Sequence, residues 1–452
     1  MIQEQTFKGL WSLPGSMIKL TGFLTFDPAD GPRLELVGTF NSYWDHKPHE
    51  LVLGETTQGW ITLLDVRYDS GGSSHVTKTT TAVYRPSMIF SGHRFESIDE
   101  IRFTSVSFQV FNLLEWLDID GLTEERKYSD YEFNYKQPVP IPFNCYEGCE
   151  CKIEFHLNGQ YLNQYYKIQY EQACKVTFQY ASKRNYNEIL LDIFTFVGFV
   201  TLCAYEQSYP KKIDFFDDSL IDGFVQEKLN KVIPQAVECI YQNAFYSPDY
   251  KIRKWHQHLI RYSGIDKQFP SIIQKWFDKH KELNQVMNLL LRYFVDKYDF
   301  NTEKFMDAVR ALEIFHRRNF PNHSLPESDY EKLKVKFSSV PELTPDEEKW
   351  IAAKLQHGNE PFLKRRLEDL IKQYSFAYFN ERVPDTKKFC RQAVDLRNHF
   401  THFDNSSTSK ALTGKELFDL TENLRLLLFS AVFNTIGITS EAFDDTTRNL
   451  VY

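Results

Sequence analysis

The sequence predicts an α+β protein of more than one domain, with a β-rich N-terminal module followed by an all-helical bundle. Three observations carry this. Residues 1–215 break into short runs of β-branched and aromatic residues separated by turn signals. From residue 216 the apolar residues recur at three- and four-residue spacing instead. The chain has 452 residues, about three times the ~150 that serve as a prior for one domain. The expected division is therefore residues 1–215 and 216–452.

In the first part, "MIKLTGFLTFD" (17–27), "RLELVGTF" (33–40), "WITLLDVRY" (60–68) and "EIRFTSVSFQVF" (100–111) read as strands. "CKIEFHL" (151–157) and "YKIQYEQACKVTFQYA" (166–181) continue the pattern. The most apolar window, Ile189 to Tyr205, contains Asp192 and is 17 residues long. That is short of the ~20 needed to span a bilayer, so it reads as a buried helix or strand, and no membrane contact is expected.

In the second part, residues 283–298, 301–318, 345–357, 361–380 and 413–437 carry helical periodicity. Asn301-Thr302 before Glu303 and Thr344-Pro345-Asp346-Glu347 are start signals. "NFPNHSLPESD" (319–329) is a break.

No basic-then-apolar leader precedes the first strand, and seven cysteines is an odd number, so a reducing cytoplasm is expected. Cys145, Cys149 and Cys151 form a Cx3CxC spacing, with His156 and Cys174 as possible fourth zinc ligands. The usual zinc knuckle is CxxC, and strand alternation after Cys151 turns neighbours apart, so free thiols at a turn fit better than a metal site. No phosphate-binding G-x-x-x-x-G-K-[ST], H-E-x-x-H or G-x-S-x-G occurs. No cofactor is expected.

The net charge is −8, with 31 Lys/Arg against 38 Asp/Glu over residues 1–300. That argues against non-specific coating of nucleic acid. Residues 361–400 run the other way, with nine Lys/Arg (Lys364, Arg365, Arg366, Lys372, Arg382, Lys387, Lys388, Arg391, Arg397) against five acids. Such a patch can hold a phosphate backbone locally, although a solvated helix face has the same composition.

Within that region lies "DLRNHFTHFD" (395–404). An arginine followed four to six residues later by a histidine is a weak signal, since chance supplies roughly two such pairs in this composition. Five occur: Arg253/His258, Arg310/His316, Arg317/His323, Arg318/His323 and Arg397/His402. The two ending at His323 cross Pro321, and Arg310 and His316 point to different faces of a helix. Arg397 instead follows a stripe of Phe389, Ala393, Leu396 and Phe400, so a helix starting near Asp385 delivers it, and His402 falls where "FDNSSTSK" ends that helix.

The segment "VDLRNHFTHF" resembles the signature of HEPN ribonucleases, and "FMDAVRALEIFHRR" resembles the first long helix of that domain in its ApeA-like branch. "FKGLWSLPGSMIKLTGFLTF", "LVLGETTQGWITLLDV" and "MIFSGHRFESIDEIRFTSVSFQVFNLLEWL" resemble the N-terminal domain of ApeA-type phage-defence proteins. The resemblance implies a β-rich regulatory domain followed by a HEPN nuclease that cleaves RNA without a metal, by transfer to the ribose 2′-hydroxyl. It implies His402 as acid/base, Arg397 as phosphate clamp and Asn398 as the group that orients them. Those residue types suit the work: an imidazole exchanges protons near neutral pH, and a guanidinium holds a phosphate bidentately. His399 is not required by the pattern, and Glu313 supports the site or makes a surface ion pair.

The expected partners are single-stranded or loop RNA, tRNA possible, a second copy of the chain and a phage protein as trigger. The expected role is anti-phage defence by abortive infection. The alternative is a non-catalytic HEPN sensor or adaptor that binds a protein or RNA partner.

Overall fold

The computed structural model describes the chain except residues 1–3, 41–45, 75, 128–129, 162–167, 230, 245, 248–251, 296–301, 339–342, 403–413 and 450–452. Asn301, one of the expected helix-start residues, lies outside the described residues. The chain divides into two compact units, Met1–Phe277 and Asp278–Tyr452.

The first unit runs β1 (Gln5–Ser12), β2 (Leu20–Asp27), β3 (Gly31–Val37), β4 (His49–Thr56), β5 (Gly59–Ser73), β6 (Thr80–Arg85), β7 (Met88–Ser91) and β8 (Arg102–Val110). It continues through α1 (Leu113–Leu117), β9 (Leu122–Lys127), β10 (Asp130–Tyr135), β11 (Ile141–Tyr146), β12 (Cys149–Tyr161) and β13 (Ile168–Asn185). Then come α2 (Tyr186–Ala204), β14 (Pro210–Ile221), α3 (Gly223–Leu229) and β15 (Pro234–Tyr241). The helix α4 (Phe269–Glu282) carries the chain into the second unit.

The first six strands close on themselves. β1 pairs with β2 and β4, β2 with β3, β3 with β6, and β5 with both β6 and β4, all antiparallel. Their alternating residues fill the barrel with Phe7, Trp11, Leu24, Leu34, Val52, Leu63 and Tyr84. Trp11 faces Gly54 across the β1–β4 ladder, where an added Cβ meets the indole at 2.4 Å. Only glycine therefore lets the indole lie flat there. An open sheet leaves this barrel from β5, in the order β7, β15, β14, β8, β13, β12 and β11.

The apolar window of residues 189–205 is helix α2, capped by the Asn185 side chain. It passes the length and composition test for a membrane span, yet 72% of its apolar window is buried inside the protein. Phe196 meets Phe108, Phe143 and Phe178 of the sheet, and Phe199 meets Trp116 and Trp276. Each such side chain contributes about 1.5–3 kcal/mol by leaving water. Asp192 is accommodated by Arg184 at 2.7 Å and by the hydroxyls of Tyr146 and Tyr180.

The expected division after residue 215 falls inside β14. That strand bonds to β8 and to β15, so the chain stays in the sheet to Tyr241. Its partners lie about a hundred residues upstream as well as locally, and local periodicity does not report such pairing.

The second unit is helical: α5 (Asn284–Arg292), α6 (Thr302–Asn319), α7 (Glu327–Ser338), α8 (Pro345–Gln356), α9 (Leu363–Tyr374), α10 (Ala377–Arg382), α11 (Thr386–His402), α12 (Lys415–Thr435) and α13 (Asp444–Asn449). Its centre is α12, in which every residue from Leu420 to Phe433 is buried. Its buried polar residues are partnered, Arg425 with Glu422 and Ser430 with the Tyr374 carbonyl, and α6, α9 and α10 pack against it. The α8 start forms as expected: the Thr344 hydroxyl accepts from Glu347 N, and the Glu347 carboxylate accepts from Thr344 N at 2.8 Å. Its apolar residues stay outside, however, with no residue of α8 buried and Trp350 63% exposed.

Candidate active site

The helix α11 is set by its two ends and its buried face. Asp385 Oδ1 accepts from Lys388 N at 2.9 Å, which starts the helix where the sequence indicates. Phe389, Ala393 and Leu396 are buried, together with Cys390, and Phe400 meets Phe305 of α6 edge to face at 5.9 Å. The buried stripe fixes the rotation of the helix about its axis. Opposite that stripe, Lys387, Arg391 and Asn398 are exposed, and at about 100° per residue they fall within one narrow sector.

Arg397 is half-buried at the edge of the apolar face, and its Nη1 donates to Asn398 Oδ1 at 3.2 Å. The Thr401 hydroxyl donates to the Arg397 carbonyl at 2.7 Å, a bond from one turn ahead. His399 is half-buried, and its Nδ1 has no hydrogen-bond partner among the described residues. His402 is the last residue of α11, and its side chain lies outside the described atoms.

The structure thus brings Arg397 and Asn398 into contact. Positions 397 and 402 are separated by about 140° around the helix, whereas positions 398 and 402 are about 40° apart.

The basic run upstream divides in two. Arg366 is 1% exposed and is not available to a phosphate. Its guanidinium reaches the Pro361 carbonyl at 2.9 Å, Asn322 at 2.7 Å, His316 Nδ1 at 3.1 Å and Glu360 at 3.4 Å. His316 in turn contacts Asp369 at 3.2 Å, and burial lowers its pKa. A signal for this exists in the sequence, because Arg366 lines up with Leu370 and Tyr374 on the buried face of α9. Arg382 bonds Asn423 at 2.7 Å and faces Asp419. Lys364, Arg365, Lys372, Lys387, Lys388 and Arg391 remain exposed. Glu313 is half-buried and acts electrostatically on Arg366.

The Arg253/His258 pair is a local closure in the first unit: His258 Nε2 bonds the Arg253 carbonyl at 3.1 Å, and Arg253 pairs with the buried Glu206.

The description "ApeA N-terminal domain 1" matches residues 6–276, more than half of the chain. The chain belongs to the ApeA family. A second family, Apea-like HEPN, matches residues 306–442, which hold most of α6, all of α7 to α12 and the Arg397–His402 motif. This ApeA-family architecture, an N-terminal β domain and a C-terminal HEPN bundle, supports a HEPN nuclease-type role against phage. No curated protein and no solved structure matches the chain.

Proposed function

We propose that this ApeA-family chain is a metal-independent RNA endonuclease whose active site is built from Arg397, Asn398 and His402, and that it acts in abortive infection. The observation that carries the reading is the setting of the motif on α11. A helix locked by Phe389, Ala393 and Leu396 presents Asn398 to solvent in line with the exposed cations Lys387 and Arg391. A single-stranded RNA backbone laid along that line has cations for its phosphates and reaches the motif at the helix end.

The chemistry follows from the residue types. An imidazole at position 402 takes the proton of the 2′-hydroxyl. That oxygen attacks the adjacent phosphorus, the bond to the 5′-oxygen breaks, and the imidazolium so formed returns its proton to that oxygen, giving a 2′,3′-cyclic phosphate and a 5′-hydroxyl. The Arg397 guanidinium stabilises the added charge on the phosphorane, and Asn398, already bonded to Arg397, holds its direction.

Backbone positions 397 and 402 diverge by about 140° around the helix, which makes it hard for one copy to bring both to a single phosphate. A two-fold dimer removes this difficulty by supplying the base from one copy and the clamp or acid from the other. We place the site on such an axis, with loops of RNA, tRNA among them, as substrate and a phage protein acting through the N-terminal domain as trigger.

The test mixes two inactive proteins. His402→Ala and Arg397→Ala homodimers are each expected to be inactive on total RNA in the presence of chelator. Their heterodimer is expected to regain cleavage if one copy supplies histidine and the other arginine. A wild-type monomer that cleaves fully at its assay concentration rejects the shared site. Full cleavage by folded His402→Ala rejects the catalytic assignment, and a folded wild-type dimer that cleaves no RNA leaves the non-catalytic adaptor.

A further inference from the structure

Three cysteines converge at the β11–β12 turn of the first unit. Tyr146 pairs with Cys149 across a two-residue link in which Gly148 takes φ 80°. The register shifts between Asn144 and Tyr146, so Cys145 is the extra residue of a bulge. Cys149 and Cys151 are two apart on one strand and therefore face the same side. All three are buried on that side, and their sulfurs lie within 4.8 Å of one another. The Cys145–Cys151 separation is 3.4 Å and the Cys149–Cys151 separation 3.5 Å.

Sulfurs at ~2.3 Å from a tetrahedral zinc ion stand about 3.8 Å apart, so the triangle has to open by only a few tenths of an ångström to hold one.

Cys151, with Phe143, Asn144, Lys152 and Gln179, lines a cleft of about 780 Å³. The cluster's other side is ordered: Tyr180 sits across the ladder from Cys149 and bonds Asp192 at 3.3 Å, and Arg184 lies over the rings of Tyr146 and Tyr180. Buried cysteines packed merely as small apolar groups need neither a common focus nor a cleft.

We propose that Cys145, Cys149 and Cys151 bind a thiophilic dication of the Zn²⁺ class as three thiolate ligands, with the fourth position taken by a solvent oxygen from the cleft. All three sulfurs bind as thiolates, so each cysteine that enters as a thiol releases its proton on binding. The ion ties the turn between β11, the outermost strand of the sheet, and β12. This site is separate from the Arg397–His402 motif and does not depend on the nuclease reading.

The test uses full-length protein, stripped of metal by a chelator under anaerobic reducing conditions. We expect it to take one equivalent of Zn²⁺ from a weak chromophoric competitor, and Co²⁺ in its place to give sulfur-to-cobalt charge-transfer absorption. Folded Cys151→Ser is expected to lose that absorption. Cys174→Ser, a buried cysteine of β13 outside the cluster, is expected to keep it. If Cys151→Ser does not fold, alkylation of the wild type decides: Zn²⁺ protects the peptide carrying residues 145–151 and no other cysteine. Folded, reduced wild type that leaves Zn²⁺ with the competitor overturns the proposal. So does unchanged Co²⁺ absorption in folded Cys151→Ser, or an absence of protection in the alkylation assay.

Discussion

Arg366 with His316, and Arg397 with His402, are two arginine–histidine pairings within one helical unit, and they are put to different ends. The first arginine is enclosed, and each part of its guanidinium faces an acceptor: a carbonyl, an amide, an imidazole or a carboxylate. The second is half-buried beside the solvent face, with Asn398 Oδ1 as the acceptor described for its Nη1. An enclosed cation with all three nitrogens engaged is committed to the fold, because moving it to a phosphate leaves the buried Pro361 carbonyl and His316 imidazole without their donor. A cation at the margin of a helix can turn toward a ligand at little cost. Partner saturation, rather than residue type, distinguishes the two.

The largest expected effect lies on the exposed side of this comparison. Arg397→Ala or His402→Ala should lower RNA cleavage by about 10²–10⁴-fold, the range of positioned acid–base and oxyanion-type groups. The same changes should alter urea stability by less than about 1 kcal/mol. Cleavage should persist in EDTA, and mass spectrometry should find cyclic phosphate ends; 5′-phosphate ends would point to a metal-activated water instead. Next in size, Arg366→Ala should destabilise the helical unit by about 2–5 kcal/mol, measured by urea unfolding, because it leaves the buried Pro361 carbonyl and His316 imidazole without a donor. A stable Arg366→Ala protein that has lost RNA binding would reverse the assignment of the two arginines.

His258, the enclosed histidine of the first unit, sharpens the comparison through pH. Burial first, then the Arg253 and Arg261 charges, hold its pKa at about 4, below the ordinary 6.5, against the raising effect of the Arg253 carbonyl. The unfolded chain therefore binds this proton first as pH falls. The stability present above about pH 6.5 is lost progressively toward pH 4, by up to about 3 kcal/mol. Thermal midpoints measured across that window should fall less steeply in His258→Gln than in wild type. The smallest effect belongs to the cations in line with Asn398. Lys387→Ala with Arg391→Ala should weaken single-stranded RNA binding several-fold. The slope of log affinity against log salt should become shallower by about 0.7 for each phosphate that is no longer neutralised. A salt slope identical to wild type would remove these residues from the RNA path.

Much of this was legible in the sequence wherever the determining interactions are local. The start of α11, its apolar stripe, the reciprocal cap of α8 and most strands depend on residues within a few positions of one another. The closed barrel was not legible, since β3–β6 and β1–β4 pairing joins segments whose relation appears only in three dimensions. The helix α7 was hidden by a proline-rich lead-in that reads as loop. Arg366 was grouped with exposed cations because its neighbours Lys364 and Arg365 are exposed, although its helical position coincides with the buried face. For the candidate site, the helix and its orientation were accessible from the apolar spacing. The angular divergence of positions 397 and 402 emerged once the helix proved to extend through His402.

The length of β5 has a consequence for how the first unit comes apart. Ile61 to Leu64 bond β4 on one side and β7 on the other, and Arg67 to Ser73 turn to bond β6. A single strand is therefore sewn into both the closed barrel and the open sheet. Neither can melt without tearing a strand out of the other, so the two form one cooperative folding unit despite their different architectures. On heating, barrel and sheet should give a single calorimetric transition, and the most protected amides of β4 and of β7 should exchange through the same global opening.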